Sequence, residues 1–88
     1  MNIKYEDNIY RIYENEQIGS VEFNEEERYI ENIYLVEKCR GKGYLRKILE
    51  YFGKPLIVLP LPQHTDKFKH LGFRLYKCID QDVYYILD

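Results

Sequence analysis

A chain of 88 residues, 45% hydrophobic and 16% aromatic, is a single domain spanning 1–88, and its composition excludes a disordered polymer. Its net charge of −2 hides an asymmetry: residues 1–37 carry three cations and ten acids, residues 38–88 ten cations and five acids, so the second half suits an anionic ligand and the first a cationic one. The acidic pI of about 5.7 argues against nucleic acid as partner, two cysteines do not make a secreted disulfide scaffold, and no apolar run nears the roughly 20 residues of a membrane span. With no apolar leader at Met1–Tyr10, the expected location is cytoplasmic.

Asn8–Tyr13 alternates apolar and polar residues and stops at Glu14-Asn15-Glu16; Gln17–Phe23 resumes the pattern, with Gly19 marking a bulge or a close approach of backbones. The pair reads as a hairpin. After a polar turn, Arg28–Val36 places Tyr29, Glu31, Ile33 and Leu35 on one face and Ile30, Asn32, Tyr34 and Val36 on the other. Both faces are largely apolar, so this strand is central.

Arg40-Gly41-Lys42-Gly43-Tyr44-Leu45 follows, at the junction with the next element. Tyr44, Leu45, Ile48, Leu49 and Phe52 recur at helical spacing, and Gly53 with Pro55 ends the helix. A basic, glycine-rich turn from strand to helix leaves backbone N–H groups unpaired where the helix macrodipole favours negative charge. That is a phosphate site in outline. No Gly-Lys-Ser/Thr closes a P-loop and no third glycine completes a dinucleotide fingerprint, which disfavours both common nucleotide folds.

Pro55–Leu61 is a short apolar run, the mark of a strand buried on both faces, and strand, helix, strand implies a right-handed parallel crossover. Gln63–Leu71 reads as a second helix stopped by Gly72, and Phe73–Ile79 and Val83–Leu87 as a hairpin through Asp80-Gln81-Asp82. The order is βββ-α-β-α-ββ, a mixed, mostly antiparallel α/β (α+β) sheet fold. Tyrosine-rich edge strands in so small a sheet leave room for a homodimer.

This order, with this turn after the third strand, resembles the core of the GNAT superfamily of N-acyltransferases. Arg40 to Leu45 fits five of six positions of the family's Gln/Arg-x-x-Gly-x-Gly/Ala pattern, with Leu45 the departure, and Phe68-Lys69-His70-Leu71-Gly72-Phe73 is similar to its Tyr-x-x-x-Gly-Phe element. The resemblance implies that acetyl-CoA is the co-substrate and a primary amine of a protein, peptide or polyamine the acceptor. It further implies that the amides of Gly41, Lys42, Gly43, Tyr44 and Leu45 cradle the CoA diphosphate, that Arg40 and Lys42 add charge, and that the backbone at Ile33 and Leu35 pairs with the pantetheine arm.

Three departures bear on chemistry. Phe68 stands at the tyrosine that many relatives use as acid, Leu61 stands where an asparagine precedes it by seven residues, and the helical pair that follows the family's first strand is absent. An amine acceptor of pKa about 10.4 must lose a proton to react, and Glu31, which relatives that carry a strand carboxylate would match, is the expected base. His70 is the expected acid toward the thiolate, with His64, Tyr34 and Tyr76 as alternatives. The histidines and cysteines have no metal-ligand spacing, so no metal is expected. The other reading is a catalytically inactive CoA-binding or protein-interaction module on the same fold.

Overall fold

In the computed structural model, which describes residues 1–88, the N-terminal half is an antiparallel meander of β1 (Asn2–Glu6), β2 (Ile9–Glu14), β3 (Glu16–Asn24) and β4 (Tyr29–Leu35). The alternating pattern in the sequence starts only at Asn8, and β1 lies ahead of it. In that strand only Ile3 is even partly buried, which leaves little apolar pattern to read. What makes it a strand is the two-residue turn Asp7-Asn8, both at positive φ (54° and 65°) as a type I′ hairpin requires, and the register that follows from Glu6 opposite Ile9 to Asn2 opposite Tyr13.

The C-terminal half holds α1 (Tyr44–Phe52), β5 (Leu56–Val58), α2 (Thr65–His70), β6 (Arg74–Ile79) and β7 (Asp82–Leu87), with 3-10 turns at Glu37–Cys39 and Pro62–His64. The helix α1 has the bounds its apolar spacing predicts. By contrast β5 is shorter than the apolar run Pro55–Leu61, because Pro60 and Pro62 have no N–H for a ladder and because β4 leaves it after two pairs, Tyr29 opposite Ile57 and Ile30 opposite Val58. The seven strands form one sheet in the order β1-β2-β3-β4-β5-β7-β6, antiparallel everywhere except β4 with β5. It is the mixed, mostly antiparallel sheet expected, with one strand added in front.

Two register shifts bend the meander. Ile18 is the extra residue between the pairs Ile12–Gly19 and Tyr13–Gln17, and Glu31 the extra residue between Phe23–Ile30 and Glu22–Asn32. The second resets the alternation in β4: Ile30 is buried, Ile33 and Leu35 pack on the same core, and Glu31 is exposed. Glu31 therefore does not share the face of Ile33 and Leu35 that simple alternation assigns it. Gly19 is a close approach, since a Cβ there would lie 2.3 Å from the Tyr34 carbonyl oxygen.

Ile48 and Leu49 of α1 and Phe68 of α2 join Ile12, Val21, Ile30, Leu56, Val58 and Phe73 in one cluster, so both helices cover the same face of the sheet, as two right-handed crossovers in one direction require. Across the other face run Arg11, Ser20 and Tyr34 in register, and Tyr29, Ile57 and Ile86; none of them is buried. That face has no second layer. No helix is long and apolar enough to cross a membrane.

Candidate functional site

The turn between β4 and α1 is built from two glycines in the left-handed region, Gly41 (φ 74°) and Gly43 (φ 84°), the second serving as N-cap of α1 without a capping side chain. A cap with no side-chain acceptor leaves the first amides of the helix to seek partners elsewhere. They find none: Arg40 N–H donates to Glu37 and Lys47 N–H to Gly43, but the six amides from Gly41 to Arg46 make no hydrogen bond within the protein. Orphan donors at a helix start, with the macrodipole behind them, favour an anion.

Below this row lies a groove of about 660 Å³ between β4, α1 and α2, lined by Ile33, Tyr34, Leu35, Arg40, Gly41, Gly43, Leu45, Arg46, His64, Lys67, Phe68, His70 and neighbours. Three permanent cations and two histidines line it, and no carboxylate does. Its floor is the gap where β4 and β5 part. Val36 N–H bonds back to Ile18 on the β3 side, so by the two-residue period Ile33 and Leu35 aim their backbone groups the other way, to where β5 no longer pairs with β4. The Leu35 carbonyl accepts from Arg40 Nε at 2.9 Å, and the guanidinium stands 5.7 Å from the Tyr34 ring centroid. Arg40 is thereby held at the mouth of the gap with its terminal nitrogens free for an anion.

Of the residues expected to hold the cofactor, Ile33, Leu35, Arg40, Gly41, Gly43 and Leu45 line the groove. Lys42 and Tyr44 do not, although their amides belong to the orphan row. The Tyr44 ring packs against the core, and burial together with the charges of Glu14 and Cys39 raises its phenol pKa. Leu45, the departure from the glycine pattern, also leans on the core while lining the groove, and its amide stays unpaired.

The two expected catalytic residues are not brought together. His70 lines the groove, whereas Glu31 stands on the bulge outside it, on exposed surface. The His70 Nδ1 lies 2.8 Å from the Asp66 carbonyl oxygen. A carbonyl only accepts, so Nδ1 carries the proton and Nε2 is the nitrogen left for chemistry. This bond goes to the Asp66 backbone, not to the carboxylate that a four-residue spacing suggests. His64 and His70, six apart, line the same groove rather than opposite sides of a helix, because Pro62–His64 is a separate 3-10 turn.

Sequence reasoning missed Arg46, Lys67 and Leu71 as groove residues. The spacing His64, Lys67, Phe68, Leu71 is itself a helical stripe and could have shown them. Phe68 is 6% exposed and packs edge-on to Phe73 at 5.3 Å, so its ring supports the groove wall.

No protein-family model and no curated protein sequence matches the chain. Solved structures do. The Bacillus subtilis N-acetyltransferase YlbP in complex with coenzyme A superposes with a TM-score of 0.72 at 14% identity, over 91% of this chain and 66% of that one. A chimera of the Vibrio cholerae spermidine N-acetyltransferase SpeG with hSSAT gives 0.57 at 16% identity, over 89% and 63%, and a further SpeG structure gives 0.55 at 16%, over 89% and 62%. The chain spans just under two thirds of the length of each. It has the GNAT N-acetyltransferase fold, in a form where the Asp7-Asn8 turn joins the first two strands directly.

Proposed function

We propose that this protein transfers an acetyl group from acetyl-CoA to a primary amine. The observation that carries the reading is the row of six orphan amides, Gly41 to Arg46, at the head of a groove lined with cations and no carboxylate. A diphosphate satisfies that donor set, and the CoA thioester supplies the activated acetyl group. Arg40, Arg46 and Lys67 add charge around the phosphates, while the free backbone of Ile33 and Leu35 receives the pantetheine amides as an added strand would. On this reading the thioester lies at the gap between β4 and β5.

At the gap the amine nitrogen must be neutral to attack the thioester carbon, forming the new C–N bond as the C–S bond breaks. Glu31, exposed on the bulge two residues before Ile33, takes the proton from the incoming ammonium, directly or through water, and the second proton, which leaves nitrogen as the C–N bond forms and the C–S bond breaks, passes to water. His70, in its imidazolium form, returns a proton to the thiolate from Nε2. We assign the reaction to a reducing, cytoplasmic compartment, in keeping with the free thiols of Cys39 and Cys78.

One observation favours a second reading, a CoA-binding module without catalysis: Phe68 is a buried phenyl ring at the family's tyrosine and has no proton to give. The test has two parts. Acetyl-CoA at one hundred times its dissociation constant should stabilise the fold by about 2.7 kcal/mol, and failure of acetyl-CoA to bind at millimolar concentration ends both readings. Acetylation of an amine that falls at least tenfold in Glu31→Gln supports the enzyme; binding with no transfer to any amine supports the module.

A further inference from the structure

The sheet face turned away from the helices carries its own cluster. Tyr29 on β4 and Tyr84 on β7 have ring centroids 6.1 Å apart, tilted by 58°, with Ile57 opposite Tyr29 and Ile86 opposite Ile57 in register beside them. Asp82 lies two residues before Tyr84 on β7, on the same face by strand alternation, and Glu31 two residues after Tyr29 on β4; burial, then the charges of Tyr84, Glu31 and Asp82, raise the Tyr29 phenol pKa. Neither Glu31 nor Asp82 has a salt bridge. Lys77 stands over the rings of Tyr76 (5.2 Å) and Tyr84 (5.9 Å) rather than on either carboxylate. Two aromatic rings and the unpaired carboxylate of Asp82 attract a cation.

This cluster is joined to the groove through Tyr34, which lines the groove, is 49% exposed and lies on the bare face in register with Ser20 and Arg11. We propose that the bare face docks an extended basic segment of an acceptor protein, with the lysine to be acetylated at the gap beside Tyr34 and a second cation of that segment seated against Tyr29 and Tyr84 beside Asp82. The proposal rests on the acetyltransferase reading and names its substrate class.

Charge complementarity picks a cationic occupant, and the shape of the face picks a peptide. From Tyr29 to Ile33 is roughly 10 to 13 Å at about 3.3 Å per residue, allowing for the bulge, so the second cation falls three or four residues from the acetylated lysine in an extended chain. A small polyamine could span the two points but would leave Tyr34, Ile57 and Ile86 uncovered on an open sheet. A peptide main chain covers them.

The experiment compares three acceptors: a peptide with one lysine and an arginine four residues away, the same peptide with glutamine for that arginine, and spermidine. With the enzyme and acetyl-CoA, kcat/KM should be about tenfold higher for the arginine peptide, through KM, with spermidine no better than the glutamine peptide. Asp82→Asn and Tyr84→Leu should abolish the preference while leaving kcat on the glutamine peptide unchanged, and Lys77→Ala, which removes the internal competitor, should lower KM. Calorimetric titration of both peptides into the CoA complex gives the same comparison without turnover. Equal binding of the two peptides, a preference that survives Asp82→Asn, or a clear preference for spermidine overturns the docking proposal while acetyl-CoA binding and transfer stand. Loss of acetyl-CoA binding would instead remove the parent reading.

Discussion

The two ends of α1 are treated in opposite ways. At the C-terminus the carbonyls of Phe52 and Gly53 accept from Arg28 at 2.6 and 3.0 Å, Pro55 accepts from the same guanidinium at 3.0 Å, and Gly53 N–H closes on Leu49. At the N-terminus six amides donate to nothing. One end is finished within the protein, with a cation answering the negative end of the dipole; the other is left open for a group of opposite sign. Orphan polar groups cost stability unless water or a ligand meets them, so the asymmetry separates what holds the fold from what it is held for.

The largest expected effect comes from breaking the finished end. Arg28 ties the turn before β4 to the end of α1, and its guanidinium also lies 4.9 Å from the Phe23 ring centroid. Arg28→Ala should cost about 3 kcal/mol, as three carbonyls lose a charged donor. For a domain of this size that is a fall in Tm of roughly 12 to 24 °C. Acetyl-CoA affinity of the fraction still folded should stay within about twofold. Arg28→Lys should recover only part, because one ammonium lacks the planar fork that reaches all three oxygens.

The open end should respond in the reverse sense. A Cβ at Gly43 meets nothing within 4 Å, so Gly43→Val does not clash, but its φ of 84° strains any side chain and the new methyls stand where an anion would approach the amides. Stability should fall by about 1 kcal/mol while the acetyl-CoA dissociation constant, measured by calorimetry, rises about 100-fold. Equal affinity in Gly43→Val and the native protein would refute the phosphate role of the turn.

How much of this contrast was legible in the sequence depends on which end is read. Gly41 and Gly43 between a strand and a helical pattern announce the open end, because glycine's freedom at positive φ is local and shows in the residue type. The Arg28 cap is invisible, since it joins residues 24 to 27 positions apart through a fold that must exist first. Glu31 shows the same limit: alternation places it with Leu35, but alternation does not foresee a bulge, which is set by how β3 and β4 pair. Likewise β1 has almost no buried residue and is recruited by its turn and its partner.

A smaller effect should come from the cations around the open end. Arg46→Ala and Lys67→Ala remove charge from the groove wall without touching the amides, and each should raise the dissociation constant of acetyl-CoA about tenfold at low salt, less at 0.5 M. Adenosine diphosphate should show the same loss, because both residues act on phosphate. A variant that weakens acetyl-CoA but not adenosine diphosphate would move that residue away from the diphosphate.

The smallest expected effect is on pH dependence. Lys38 donates to Glu16 at 2.6 Å, and that bond, with the lysine's charge, lowers the Glu16 pKa from its ordinary 4.5. A carboxyl with a depressed folded-state pKa stabilises the fold above its unfolded value and loses that contribution as pH falls. Tyr29 works in the other direction: burial, then the charges of Tyr84, Glu31 and Asp82, raise its phenol above 10.0, so its contribution is complete below about pH 10 and disappears as pH rises further. Tm should therefore be flat near neutrality and fall at both extremes. Lys38→Ala should soften the acid fall at low salt and make no difference at 0.5 M salt, because the pair is exposed and screened. Tyr29→Phe should soften the alkaline fall at either salt, since burial rather than a surface charge is its first cause. An acid limb in Lys38→Ala identical to the native protein at low salt would show that the bond to Glu16 contributes nothing to folding.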